Sequence, residues 1–245
     1  MTTFATPKVT LIAHTAIVPD AIEQRLEIQE GSTDAETLTV YAGRSCYESW
    51  SRPNEKTRED KDYLRRTLFE QGHFSILEHA SATFYLTGVS RALLAEITRH
   101  RHLSFSVLSQ RFVSEEDANI VVPPAIRDAK EINEAYYDEE LGGGVIGATE
   151  TLKVMADLAI ATYAGLVEEL QEVEGLSRKQ AREAARAVLP NMVETRIVVT
   201  GNLRAWHEVI ERRTAPDADA EFQQVAGLIR DELKKLAPAI FKEIN

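Results

Sequence analysis

The sequence predicts a mixed α+β fold on three observations. Lys8–His14 alternates polar and apolar residues, the period-two pattern of a half-buried strand, and 82–87 and 195–200 also read as short strands. Stretches with apolar residues three and four apart read as amphipathic helices, a long one running over 149–173. Strands and helices do not alternate regularly, and no G-x-G-x-x-G opens a helix. Neither a parallel doubly wound sheet nor an ordinary dinucleotide fold is therefore indicated.

The first strand, Lys8–His14, is followed by helices over 34–48 and 55–71, split by Ser51-Arg52-Pro53-Asn54. The strand at 82–87 is expected to end at Gly88. Ser90 is placed to cap a helix carrying Ala92, Leu93, Leu94 and Ile97. Beyond Arg111 the chain should run extended through Ile120-Val121-Val122-Pro123-Pro124. Asp138-Glu139-Glu140-Leu141-Gly142-Gly143-Gly144 reads as a loop or insertion. After the helix at 149–173, Ser177 can cap another that runs to Val188 and stops at Pro190. The strand at 195–200 leads into helices over 203–213 and 218–243, with Gly201 allowing a tight turn and Asn202 near the helix start.

Composition narrows the function. The chain has 245 residues, 44% hydrophobic and 27% charged, with a formal net charge of -11. That length is compatible with one large domain or two small ones. So acidic a surface repels nucleic acid and anionic membranes at long range, and no specific nucleic-acid partner is expected. An anionic ligand would need a locally basic site. The single cysteine, Cys46, excludes an intrachain disulfide and a cysteine-rich metal site. It lies in a predicted helix without a nearby base and reads as a buried structural thiol. No apolar run reaches membrane-spanning length, and the first residues lack a signal-peptide layout, so a cytoplasmic protein is expected.

Basic residues concentrate in three places. Arg99, Arg101 and Arg111 fall within thirteen residues, with His100, His102, Ser104, Ser106 and Ser109 among them. Guanidinium forks and hydroxyls are phosphate-binding chemistry, although the residues alone also read as a solvated basic turn. Arg182 and Arg186 lie four apart, on one helix face. The block 200–213, with Arg204, Arg212 and Arg213, opens on Thr200-Gly201-Asn202, where a strand ends and a helix starts and backbone N–H groups can meet an anion or a flavin edge. Trp206 fits a core position. His73, Glu78 and His79 invite a metal reading, but their spacing matches no zinc pattern, and no metal is expected.

Arg99-His100-Arg101, seven residues, then Ser109-Gln110-Arg111 resembles the signature of the flavin-dependent thymidylate synthases. Blocks at 72–80, 178–190 and 195–213 match the family in order and separation, so the resemblance covers roughly residues 8 to 243. It implies one α+β domain over residues 1–245, a central, mostly antiparallel sheet with flanking helices, and a homotetramer with active sites shared between subunits. It implies an enzyme that converts dUMP to dTMP. Methylenetetrahydrofolate gives the carbon and NADPH-reduced FAD the hydride, with no protein nucleophile.

The resemblance also assigns residues. Ser75, Arg99, His100, Arg101, Val107, Asn202, Leu203, Arg204 and Glu208 resemble FAD-contacting positions. Glu96, Ile97, Thr98, Arg99, Val107, Leu108, Ser109, Gln110, Arg111, Arg186 and Arg213 resemble dUMP-binding positions. Arg213 corresponds to the arginine that holds and activates the uracil, and His73 falls on the folate side. Two positions depart from the pattern. Val107 stands where the family usually has Gln or Glu. Glu208 stands where close relatives have His, with His207 one position earlier. One residue rotates a helix by about 100°, so His207 is not expected to substitute. These departures leave room for a nucleotide- or RNA-binding regulatory protein that kept the fold and lost activity. A different flavoenzyme using the same anion site is a third reading.

Overall fold

The computed structural model describes residues 2–138 and 143–242. The elements run β1 (Lys8–His14), α1 (Pro19–Glu23), α2 (Asp34–Ser45), α3 (Asp60–Leu64), β2 (Ser81–Ser90), α4 (Arg91–Ile97), β3 (Leu103–Val107) and α5 (Pro124–Arg127). They continue with β4 (Tyr136–Asp138), β5 (Gly143–Val145), α6 (Ala148–Glu172), α7 (Arg178–Ala185), β6 (Glu194–Asn202), α8 (Leu203–Arg213), α9 (Ala220–Leu236) and α10 (Pro238–Phe241). The main sheet has the order β1-β2-β6-β3 and is antiparallel, with helices flanking it. The α+β expectation holds. The chain forms two compact units. The first comprises Met1–Lys8, Leu86–Ile97 and Ser106–Ile197, and the second Val9–Tyr85, Thr98–Phe105 and Val198–Asn245.

In the first unit α6 and α7 pack through Tyr163, Val167, Ala181 and Ala185, bordered by Leu166, Leu170, Leu176 and Leu189. Small alanines on α7 let it approach α6 closely. The cap expected at Ser177 forms reciprocally, with Gln180 as the returning partner. Ser90 likewise caps α4, its Oγ accepting from Leu93 N–H at 3.0 Å. Ile120 bridges Phe4 and Val193 and Val121 N–H pairs with Met192 O, but the expected extended run stops short at Pro123, because α5 begins at Pro124.

In the second unit Trp206 is fully buried. It meets Phe84 edge-on at 5.0 Å and donates its indole N–H to Ala82 O at 3.0 Å. The buried indole donor is thereby satisfied.

Several expectations are corrected. Gly88 does not end the strand: β2 continues to Ser90, and Gly88 adopts φ +65 where a Cβ would overlap the Thr6 carbonyl. The helix over 55–71 is interrupted: a 3₁₀ turn at Glu55–Thr57 precedes α3, and π-helical turns follow over Arg65–Glu70. Asp60 causes the break, because its N–H goes to Gln29 Oε1 (2.7 Å) and its carboxylate to buried Arg52 (2.6 Å). The last helix divides at Ala237, which Pro238 excludes from helical geometry; Glu243, its expected end, lies outside the described residues. The expected loop at 138–144 is flanked by an antiparallel pairing, Tyr136 with Val145 and Asp138 with Gly143, while 139–142 lie outside the described residues. Cys46 is exposed, not buried. Gly201 sits at no positive φ; it is small because a Cβ there would collide with Leu103 and crowd Trp206.

Candidate active site

The second unit holds a cleft of about 500 Å³. One wall is the segment between α4 and β3, bringing Arg99, His100, Arg101 and His102. The other is the C-terminal half of α8 and the turn after it, bringing Glu208, Arg212, Arg213 and Asp217. Four arginines, two histidines and two carboxylates thus line one cavity of a chain whose net charge is -11. The basic site required of an anion binder is present.

His100 and Arg213 form its organised centre. Arg213 Nε donates to His100 Nε2 at 3.0 Å. The Arg213 guanidinium lies over the Phe222 ring at 4.7 Å, and His100 meets the same ring edge-on at 5.8 Å. Accepting that bond requires His100 to be unprotonated at Nε2. Burial, and then the Arg213 charge, push the His100 pKa down, which favours that form.

α8 starts where the sequence places it. Asn202 caps it, its side-chain oxygen accepting from Ala205 N–H at 2.8 Å. Leu203 is buried and its N–H goes to Ala80 O, whereas Arg204 is exposed and ion-paired with Glu78. Asn202, Arg204, Glu208, Glu78 and His102 line an adjoining cleft of about 260 Å³. The expected rotation between His207 and Glu208 is visible. His207 packs against Phe74 (4.9 Å) and Phe69 (6.3 Å), while Glu208 faces the cleft and pairs with Arg212 at 2.9 Å. Ser75 is exposed in the turn Phe74–Glu78. His73, also exposed, lines a separate cleft with Arg44, Tyr47, Tyr63 and Arg66. Thr98 is exposed beside Arg99.

The first unit gathers the remaining candidates. Val107, half-buried, ends β3, and Leu108 N–H continues the pairing to Arg196 O at 2.9 Å. The chain then turns tightly, with Phe112 and Val113 N–H both donating to Ser109 O. Arg111 reaches across to Glu183 of α7 at 2.8 Å, and Arg182 donates to Phe112 O at 2.7 Å. Arg186 lies exposed at the end of α7. Gln110 is buried. On α4, Ile97 is fully buried and Glu96 half-buried. Among the described residues, no three His, Cys, Asp or Glu side chains are grouped to hold a metal ion.

Sequence reasoning did not assign Glu78, Arg212 and Asp217. The four-residue spacing from Glu208 points to Arg212, and Glu78 lies in a block already singled out. Asp217 carries no local pattern; only the turn after α8 brings it to the cleft.

Residues 28–239 match the family model described as thymidylate synthase complementing protein. A flavin-dependent thymidylate synthase from Mycobacteroides abscessus is 48% identical over 223 residues, 87% of this chain and 82% of that protein. Relatives of the same name from Mycobacterium tuberculosis H37Rv and Mycobacterium avium are 45% and 44% identical over the same coverage. The crystal structure of thymidylate synthase X from Helicobacter pylori with FAD and dUMP is similar in fold. It has a TM-score of 0.65 at 20% identity, covering 98% of this chain and 99% of that one.

Proposed function

The chain belongs to the flavin-dependent thymidylate synthase family, and on that footing we propose that it methylates dUMP reductively to dTMP. Methylenetetrahydrofolate is the carbon donor and NADPH the reductant of a bound FAD. The observation that carries this reading is the cleft holding Arg99, His100, Arg101 and Arg213 against the net charge of the chain.

The residues present fit the flavin. Its pyrophosphate needs guanidinium donors, which Arg99 and Arg101 offer, and the Asn202–Arg204 turn adds polar groups beside them. Ser75, His100 and Glu208 complete that set, while Thr98 belongs with the nucleotide-positioning residues. Bound FAD supplies the hydride. The protein's own part is binding, orientation and electrostatics. Ser109, Gln110, Arg111 and Arg186 hold the nucleotide phosphate, and Glu96, Ile97 and Leu108 position the nucleotide. Val107 offers no side-chain hydrogen bond where relatives place one. Arg213 withdraws charge from the uracil, its guanidinium aimed by the His100 and Phe222 contacts. His73 is assigned to the folate side.

The enzyme acts as one functional domain in a cytoplasmic homotetramer, its active sites shared between subunits. No described helix is long and apolar enough to cross a membrane. Absorbance of the purified protein tests the flavin assignment. A flavin spectrum that bleaches with NADPH is expected. Protein that stays colourless after incubation with FAD contradicts it.

A further inference from the structure

Behind the turn at Ser109–Arg111 lies a buried polar cluster built on Glu115 and Arg91, two residues to which the reading above gives no role. Glu115 is 3% exposed and Gln110 6%. Arg91, the first residue of α4, faces Glu115, as do Gln110 and Arg196. Glu115 Oε1, Gln110 Nε2 and Arg91 Nη1 are all buried without a hydrogen bond. Glu194, the other carboxylate nearby, is satisfied at both oxygens: by Gly88 N–H and by the Asn119 amide, each at 2.8 Å. Glu194 thus has a structural explanation that Glu115 lacks.

A carboxylate buried this deeply costs stability unless it is paired and hydrogen-bonded, and an apolar residue of similar volume would fill the space more cheaply, so its presence points to a need beyond packing. The partners indicate the need. Gln110 sits between Ser109 and Arg111. Arg91 feels both Glu115 and Arg186 electrostatically.

We propose that Glu115 is a positioning residue of the phosphate site. It fixes Gln110 and Arg91 in the wall behind Ser109–Arg111, so that the turn meets the nucleotide phosphate already ordered. The proposal rests on the assignment of that turn to dUMP.

The test compares the FAD-loaded wild type with Glu115→Gln. Steady-state kinetics are run in dUMP, and dUMP and deoxyuridine binding are measured by calorimetry. Loss of the Glu115 charge that faces Arg91 and Gln110 predicts a KM and Kd for dUMP raised about tenfold, with kcat within about twofold. Flavin content and deoxyuridine binding should not change. An unchanged Kd for dUMP overturns the proposal, as does equal weakening of dUMP and deoxyuridine, the mark of a general packing defect. Should Glu115→Gln not fold, Arg91→Met probes the same wall from outside the assigned phosphate contacts, and an unaltered dUMP Kd there is equally fatal. A wild type that binds dUMP without turning it over removes the proposed reaction, yet the ratio of dUMP Kd values still decides the role of Glu115. A wild type that does not bind dUMP overturns both.

Discussion

Arg213→Ala should separate flavin binding from chemistry. The side chain makes a 3.0 Å bond to His100 and lies 4.7 Å over Phe222. It is one of four arginines in the cleft, so its removal leaves three to hold FAD. The cation–π contact is worth about 0.5–1 kcal/mol at such a partly exposed site, so the fold should survive. As a preorganised donor to developing charge on the uracil, it is worth about 2.7–4 kcal/mol, a loss of about 10²–10³ in kcat. Its removal also lifts one of the charges that depress His100, whose pKa should rise. Arg213→Lys keeps the charge but loses the fork and should recover only part of the rate. The assay is dTMP formation at saturating dUMP, with flavin content read in the same samples. A variant within about threefold of wild-type turnover, or one that loses FAD in parallel with activity, refutes the role given to Arg213.

Three further predictions follow from particular contacts. Val107→Gln should tighten dUMP or FAD several-fold by restoring a side-chain donor at the end of β3; titration of either ligand decides, and no change means backbone or water already fills the contact. Glu183→Gln removes a competing carboxylate 2.8 Å from Arg111. A half-exposed pair is worth about 0.2–1 kcal/mol, so KM for dUMP should fall by no more than about fivefold, and a rise would mean Glu183 orients Arg111 productively. Burial depresses the His207 pKa, so the unfolded chain takes up the proton first and stability is lost as pH falls below about 6.5. The urea midpoint should drop between about pH 7 and 5, and drop less in His207→Phe; identical pH slopes for the two proteins rule His207 out as a contributor.

What could be read from the sequence was mostly what neighbours in the chain decide. β1 and α8 fall at their expected bounds, because alternation in one and the Asn202 cap in the other are local causes. The N-caps at Ser90 and Ser177 are local for the same reason. The errors come from distant partners. Gly88 was expected to break β2, but its φ is accommodated within the strand where the chain passes Thr6. The helix over 55–71 breaks because Arg52 and Gln29 claim Asp60. At the candidate site, the arginines of the 99–111 block were evident by composition. Their division between two compact units was not, because it depends on where the chain folds back at residues 98–105. The pairing of Arg213 with His100 spans 113 positions and has no trace in spacing.

Tritium release from 5-labelled dUMP tests the central assignment most directly. The account predicts release that needs NADPH, methylenetetrahydrofolate and bound FAD together, with dTMP formed in equal amount. Flavin-loaded protein that binds dUMP yet releases no tritium at any substrate concentration would contradict it.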